Sequence, residues 1–299
     1  MHRGHRKLQG AYRMSATQQR QFNKITIPDI VSRKNKPNNI VCLTAYDYPI
    51  ARILDEAGVD LVLVGDSVAT TRLGYDSTIP LTVDETLIHL RAVRRGIRRA
   101  LLVADLPYGS YHLNNQIALK TALMFIKAGA EAIKIEGGQK RKSLVKRLIK
   151  AEIPVMGHVG LTPQSLNMMG GYRIQGKNLK SAETVRMDAL TLQDAGVFSI
   201  VLEGIPENLA STITEELEIP TIGIGAGRFC DGQILVSDDL FGLTLNRKPK
   251  FVRQYLNLKQ ILSQATRQFI MDCNTGNFPS STETYFPTEF GRLEEVIKK

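Results

Sequence analysis

Short apolar runs rich in β-branched residues alternate with longer segments of helical period from residue 39 onward. This alternation is typical of βα units whose strands pair in a parallel sheet. Eight such runs are present, at residues 40–45, 61–64, 100–104, 132–135, 154–157, 198–202, 221–224 and 234–236. Eight parallel strands, each followed by a helix, favour an α/β fold of the closed (β/α)8 barrel type.

The segments between the runs carry helix signals. Helices are expected over residues 83–95, 114–127, 139–150, 182–194 and 206–217. Thr82 is followed three residues later by Glu85, which is the spacing of a capping box. Gly58, Gly129 and Gly196 each precede an apolar run, at the point where glycine commonly ends a helix. These signals predict the same βα boundaries as the apolar runs.

A last helical segment is expected near residues 251–271. The apolar residues that share one of its faces are Phe251, Tyr255, Leu258, Leu262, Ala265 and Phe269. An amphipathic helix buries such a face against a neighbour. We therefore expect a C-terminal helix that packs against the barrel or against another subunit.

An open dinucleotide-binding sheet is the alternative architecture. It requires the pattern G-x-G-x-x-G directly after the first strand, and the run at 40–45 is followed by no such pattern. The glycine-rich segment at 223–227 comes instead after the seventh run, where barrel backbone approaches a ligand or a neighbouring loop. The closed barrel is therefore preferred.

The net charge of +10 is concentrated at the chain ends. Residues 1–38 hold nine Lys and Arg against one acidic residue, whereas residues 39–246 hold 21 against 23. A basic arm can bind polyanions weakly, but base recognition requires a presented motif. We therefore expect no nucleic-acid partner. We divide the chain into a basic extension at 1–25, a catalytic domain at 26–280 and a tail at 281–299.

The cysteines and the apolar runs constrain the compartment. Cys42, Cys230 and Cys273 are far apart and lack CxxC spacing, which argues against a disulfide framework or a zinc site. No stretch approaches the roughly 20 apolar residues of a membrane span. The N-terminal arm lacks the apolar core of a secretory signal. These features favour the cytoplasm and no membrane. We expect the basic arm to be a disordered extension, with Met14 as an alternative start, and an organellar transit peptide is the second interpretation of the arm.

Polar side chains recur at the ends of consecutive apolar runs. In chain order they are Asp66 and Ser67, Asp105, Lys134 and Glu136, His158, and Glu203. One acidic residue at a strand end is more often a cap for the next helix. In a barrel, however, the carboxyl ends of all strands meet at one mouth, where active sites are built. The recurrence on five consecutive strands therefore favours an active site.

The types of these residues suggest a chemistry. Converging carboxylates repel one another and raise each other's pKa unless a cation lies between them, and an all-oxygen ligand set suits Mg²⁺. Lys134 could pair with Glu136 or neutralise an anionic substrate. His158 is equally compatible with a hydrogen-bonded core histidine. Glu203 comes from the strand across the ring from the metal candidates, which makes it the better general base.

These strand ends and their flanks resemble the ketopantoate hydroxymethyltransferase family over roughly residues 25–280. The similarity rests on nine segments in order: TAYDY at 44–48, LVGDS at 63–67, GYDST at 74–78, ADLP at 104–107, KIEGG at 134–138, GHVGLTPQ at 157–164, GGY at 170–172 with QG at 175–176, VLE at 201–203, and IGIGAG at 222–227 with DGQ at 231–233. The basic arm and the tail after Phe278 depart from the family pattern.

The resemblance implies a TIM barrel of the phosphoenolpyruvate/pyruvate type that forms a homo-oligomer, in this family a decamer. It implies hydroxymethyl transfer from 5,10-methylenetetrahydrofolate to 3-methyl-2-oxobutanoate through a Mg²⁺-stabilised enolate, giving 2-dehydropantoate in pantothenate biosynthesis. The site residues that it carries over are Asp66, Asp105 and Glu136 for one Mg²⁺ per subunit, Asp66, Ser67, Asp105, Lys134 and His158 for substrate, and Glu203 as proton acceptor.

Two other interpretations of the sequence remain open. An isocitrate-lyase-like or phosphonopyruvate-processing barrel would chelate a keto acid in the same way, but it usually brings a Lys-Lys-Cys-Gly-His loop that this chain lacks. The 157–164 segment and Glu203 favour the transferase. A nucleic-acid-associated protein would depend on the basic arm, so deletion of residues 1–24 should separate polyanion binding from keto-acid turnover.

Overall fold

Eight parallel strands form a closed barrel in the computed structural model, which describes residues 23–286 except 38, 246 and 247. Each strand pairs with the next, and β8 pairs with β1. The strands are β1 (Ile40–Thr44), β2 (Leu61–Val64), β3 (Leu101–Asp105), β4 (Ala132–Glu136), β5 (Val155–Gly160), β6 (Ser199–Glu203), β7 (Thr221–Ile224) and β8 (Gly232–Leu235). The (β/α)8 prediction is confirmed.

Helices surround this barrel. They are α1 (Ile27–Val31), α2 (Tyr48–Ala57), α3 (Val68–Thr71), α4 (Val83–Gly96), α5 (Asn115–Lys127), α6 (Lys142–Lys150), α7 (Leu166–Met169), α8 (Leu179–Ala195), α9 (Glu207–Glu216), α10 (Ser237–Phe241) and α11 (Leu258–Thr275). Two 3₁₀ turns, Gln139–Arg141 and Pro163–Ser165, precede α6 and α7. No helix among the described residues combines the length and the apolar character needed to cross a bilayer.

The local signals in the sequence produce the expected boundaries. Thr82 caps α4: its hydroxyl accepts from Glu85 N at 3.2 Å, and Glu85 Oε2 accepts from Thr82 N at 2.8 Å. Gly58 and Gly196 form the C-caps of α2 and α8, with φ of 95° and 101°. Because left-handed backbone is costly for residues with a Cβ, glycine is favoured at these two positions.

The strands have two apolar faces, which build two cores. The outward face packs under the helices, and the inward face fills the barrel with side chains such as Leu61, Leu101 and Met156. The lower end, where the strands begin, is filled by Ile25 and Ile30. Ile25, which we assigned to the end of the basic extension, is thus buried in the barrel.

The structure describes only part of the two terminal segments. Residues 1–22 of the extension and 287–299 of the tail lie outside the described residues. The C-terminal helix is present, but it begins at Leu258 and not at residue 251. Phe251 and Tyr255 precede it, because Tyr255 N donates to Leu240 O (2.9 Å) and ties this segment to α10. None of the residues in α11 is buried in the single chain, so of the two expected partners the barrel of the same chain does not cover this helix.

Candidate active site

Five of the seven predicted site residues continue the inward-facing rows of the barrel strands, and Asp66 and Ser67 directly follow β2. Side chains two apart on a strand share a face, so Asp105 follows Val103 and Glu203 follows Val201 toward the mouth. By the same rule Lys134 and Glu136 both point inward from β4. Asp105, Lys134 and Glu136 are buried, and the side chain of Glu203 is 16 % exposed. The mouth of the barrel therefore collects these groups around one small volume.

An ion pair between β3 and β4 forms one side of the site. Lys134 Nζ lies 2.8 Å from Asp105 Oδ1, although the angle between them is not that of a hydrogen bond. Asp105 Oδ2 accepts from the backbone N of Asp66 at 3.0 Å. Burial alone would lower the pKa of Lys134, but Asp105, Glu136 and Asp66 together raise it above its usual range. Lys134 is therefore held as a buried cation.

His158 connects the two halves of the mouth. Its Nδ1 lies 3.5 Å from Glu136 Oε1, and its Nε2 lies 3.2 Å from Glu203 Oε2. Burial and the nearby Lys134 act to lower the pKa of His158, but the two glutamates outweigh them and raise it to about 9. The two glutamates thus favour the protonated form of His158, which lies between two carboxylates and is not an ordinary core histidine.

Ser67 lies at the edge of this cluster. Its Oγ is 2.7 Å from the hydroxyl of Tyr46, which is almost completely buried below it. Ser67 itself is half-buried, at the turn between β2 and α3. The structure therefore brings all seven predicted residues to the mouth, with Ser67 on the rim and the other six in contact with one another through hydrogen bonds or ion pairs.

Two residues to which the sequence assigned no role complete the site. The amide Nε2 of Gln164 donates to Asp66 Oδ2, and its backbone N donates to Glu136 Oε2, both at 3.0 Å. Tyr111 donates its hydroxyl to Gln164 Oε1 at 2.6 Å and accepts from Glu136 N at 3.1 Å. Gln164 was visible only as the end of the 157–164 motif. Tyr111 lies in the β3–α5 loop and gave no signal.

Two carboxylate oxygens of the cluster make no hydrogen bond with the protein. Asp105 Oδ1 and Glu136 Oε1 are buried and face Lys134 Nζ at 2.8 Å and His158 Nδ1 at 3.5 Å, in both cases without hydrogen-bond geometry. Burial, followed by repulsion from Asp105 and then from Glu136, raises the pKa of Asp66 to about 8. Unpaired buried carboxylate oxygens are costly. The cluster therefore has the electrostatics of a site that is completed by a cation.

The cluster is not a preformed metal cage. Within the described ranges, no three His, Cys, Asp or Glu side chains stand together closely enough to hold a metal ion. Mg²⁺ is usually held by one or two carboxylates and keeps several of its waters. The unpaired oxygens of Asp105 and Glu136 fit that mode of binding better than direct ligation by three carboxylates.

The fold defines the class to which the protein belongs: a closed (β/α)8 barrel, similar in fold to solved members of the PEP mutase/isocitrate lyase superfamily. Phosphonopyruvate hydrolase, solved with oxalate and Mg²⁺, superposes with a TM-score of 0.55 at 14 % identity over 92 % of this chain and 94 % of that one. For 2,3-dimethylmalate lyase the TM-score is 0.53 at 16 % identity, over 91 % and 96 %. At such low identities the likeness concerns the fold alone.

The chain belongs to the ketopantoate hydroxymethyltransferase family, whose model matches residues 24–281. A 3-methyl-2-oxobutanoate hydroxymethyltransferase from Koribacter versatilis is 52 % identical over 278 residues, covering 92 % of this chain and 94 % of the relative. An enzyme of the same name from Thermosipho melanesiensis is 51 % identical over 261 residues, covering 87 % and 98 %. The resemblance seen in the sequence is thereby confirmed.

Proposed function

We propose that this protein transfers a hydroxymethyl group from 5,10-methylenetetrahydrofolate to 3-methyl-2-oxobutanoate, giving 2-dehydropantoate for pantothenate biosynthesis. The observation that carries the proposal is the buried cluster of Asp66, Asp105 and Glu136, with Glu203 across the mouth. The names of relatives that cover most of the chain support the same reaction.

The unpaired oxygens of Asp105 and Glu136, with Asp66 beside them, would hold one Mg²⁺, partly through water. When bound, Mg²⁺ supplies Lewis-acid polarisation of the 2-keto oxygen and makes the C3 proton of the substrate more acidic. The absence of cysteine from the cluster agrees with a hard, oxygen-ligated ion.

Side chains at the barrel mouth bind the substrate and move its proton. Lys134 is a permanent buried cation, so it stabilises negative charge that develops on the keto-acid oxygens. Ser67, on the rim, is placed to donate a hydrogen bond to the substrate carboxylate. Glu203 is the more accessible carboxylate and takes the C3 proton, while His158 orients it from 3.2 Å. The deprotonated C3 then forms a C–C bond with the one-carbon unit, and both C–N bonds from that carbon to the folate break. Water supplies the hydroxyl group of the product, and the C3 proton and one water proton end on the two folate nitrogens of tetrahydrofolate.

A direct assay tests this function. The purified protein should form 2-dehydropantoate from 3-methyl-2-oxobutanoate and methylenetetrahydrofolate, and EDTA should abolish turnover until Mg²⁺ is restored. Phosphonopyruvate is a useful control substrate, because the fold is shared with a hydrolase that acts on it. Turnover that is insensitive to EDTA, or release of phosphate from phosphonopyruvate without hydroxymethyl transfer, would contradict the proposal.

We also propose that the protein works as a homo-oligomer in the cytoplasm. The solvent-exposed apolar residues of α11 support the oligomer, since such a surface is usually covered. They include Ile261, Leu262, Phe269 and Ile270, each about half exposed. The free cysteines Cys42, Cys230 and Cys273 support a reducing compartment. The family resemblance favours a decamer, which sedimentation equilibrium would test.

A further inference from the structure

Gln164 lies at the centre of the carboxylate cluster, although it carries no charge. It is 4 % exposed, and each polar atom of its side chain is engaged. The Nε2 group donates to Asp66 Oδ2 and to Leu106 O, both at 3.0 Å, and Oε1 accepts from Tyr111 at 2.6 Å. A buried amide with all its hydrogen bonds made has one favoured orientation.

Tyr111 determines that orientation. The backbone N–H of Glu136 can only donate, so in their contact of 3.1 Å the Tyr111 hydroxyl is the acceptor. Its own hydrogen is therefore available for Gln164, and the atom that receives it must be the carbonyl Oε1. The Nε2 side of the amide is thereby directed at Asp66. Arg141 holds the Tyr111 ring in place, with Cζ 4.9 Å from the ring centroid.

The hydrogen bonds of the cluster engage one oxygen of each carboxylate. Gln164 Nε2 engages Asp66 Oδ2, Gln164 N engages Glu136 Oε2, and Asp66 N engages Asp105 Oδ2. The opposite oxygens of Asp105 and Glu136 have no hydrogen-bond partner. Protein donors thus fix one oxygen of each carboxylate by a hydrogen bond, whereas the other oxygens of Asp105 and Glu136 face Lys134 Nζ (2.8 Å) and His158 Nδ1 (3.5 Å) without hydrogen-bond geometry.

We infer that Gln164 and Tyr111 form a positioning relay that orients Asp66 and Glu136 toward a divalent cation. The inference rests on the proposed function, because it assumes that the cluster binds a metal. Gln164 would touch neither the ion nor the substrate and would act only through the two carboxylates. Groups that orient metal ligands typically contribute about 10–100-fold to metal affinity.

The test measures metal binding without turnover. Mn²⁺ is titrated into the metal-free full chain, without keto acid or folate, and free Mn²⁺ is followed by electron paramagnetic resonance. We expect Gln164→Met to weaken Mn²⁺ binding about 10–100-fold and Tyr111→Phe to weaken it less. Gln193→Met is the matched control, because Gln193 Oε1 accepts from Glu218 N on the exterior of the barrel and should not affect Mn²⁺.

The double variant distinguishes a relay from two separate contacts. Because Tyr111 acts through Gln164, adding Tyr111→Phe to Gln164→Met should weaken Mn²⁺ binding little further. Unchanged binding in both single variants, or fully additive losses, would overturn the relay. If the wild-type chain itself does not bind Mn²⁺, both the relay and the proposed metal site fail. If Gln164→Met does not fold in the absence of metal, the comparison of Tyr111→Phe with Gln193→Met decides: equal Mn²⁺ affinities in those two variants would overturn the relay.

Discussion

Glu203 and His158 face each other across the barrel mouth, with Oε2 and Nε2 3.2 Å apart. The other face of the same imidazole, at Nδ1, lies near Glu136 and Lys134. His158 therefore connects Glu203, which we propose as the base, with the half of the site that holds Glu136 and the proposed metal. The two halves of the mouth should accordingly respond differently to substitution.

Glu203→Gln should remove the proton acceptor and leave the other half of the site intact. We expect exchange of the C3 proton of 3-methyl-2-oxobutanoate with solvent to fall by about 10²–10⁴-fold, the usual contribution of a general base. Mg²⁺-dependent binding of the keto acid should persist. Proton exchange is read by NMR in deuterated water. Glu207→Gln, an exposed glutamate paired with Arg228, is the control. Retained exchange in Glu203→Gln would remove Glu203 as the base.

Lys134→Met should destabilise the metal-free protein. Removal of one partner from a buried ion pair leaves an uncompensated charge and costs about 3–5 kcal/mol, here chiefly at Asp105. Lys24→Met is the comparison, since Lys24 pairs with Glu131 in a partly exposed contact whose loss should cost about 1 kcal/mol or less. Urea unfolding in EDTA measures both. Equal losses in the two variants would contradict the buried-cation role of Lys134.

Gly160→Ala should damage the site through the backbone. Gly160 has φ of +94°, and an added Cβ would lie 2.3 Å from the carbonyl oxygen of Glu203. Gly58 has nearly the same φ, +95°, with no atom within 4 Å of the added Cβ. Gly58→Ala should therefore cost only the left-handed strain, about 1–2 kcal/mol. Gly160→Ala should cost more and also slow C3 proton exchange. Similar thermal stability and normal exchange in both variants would refute this.

His112 should remain neutral to unusually low pH. Burial, and then repulsion from Arg141, lowers its pKa to about 4. Between pH 6.5 and 4 the unfolded chain binds a proton that the folded chain does not, so stability from this group is complete above 6.5 and is lost as pH falls toward 4. Titration of the imidazole by NMR measures the value. Arg141→Met should move the pKa of His112 toward 6.5, whereas Lys140→Met should change it less.

Substitutions on the exposed apolar side of α11 should dissociate the oligomer. Phe269 and Leu262 are 53 % and 51 % exposed in the single chain. Phe269→Glu or Leu262→Glu would place a charge where a second copy is expected to pack, and sedimentation velocity should then report smaller species than the wild type. Gln268→Glu, on the same helix, is the control. An unchanged sedimentation coefficient in both apolar variants would exclude α11 from the interface.

The sequence predicted the fold well because periodicity, capping and glycine signals agreed at most junctions. It also placed the seven predicted residues at the mouth, since the carboxyl ends of all strands of a parallel barrel meet there. The boundary of α11 was missed because residues 252–257 have helical spacing but are tied by Tyr255 N to Leu240 O. Such a long-range contact leaves no mark on local periodicity.

The relay residues were missed for a different reason. Gln164 is uncharged, and its role depends on the 3₁₀ turn Pro163–Ser165, which directs it inward. Tyr111 acts through one hydroxyl in a loop whose path the sequence does not specify. The role that we propose for both residues depends on which atoms donate and accept their hydrogen bonds. Those donors and acceptors are set by residues that are distant in the sequence and neighbours only in the fold.

The filling of the lower end of the barrel by Ile25 and Ile30 has a kinetic consequence. Because the described residues close the lower end, substrates and products must enter and leave through the mouth of the barrel. Under the function that we propose, the keto acid binds at the deep carboxylates, so it should enter before the bulkier folate and leave only after the folate has left. Initial-rate kinetics should therefore follow a compulsory-order mechanism, in which the keto acid binds first and the hydroxymethylated product leaves last.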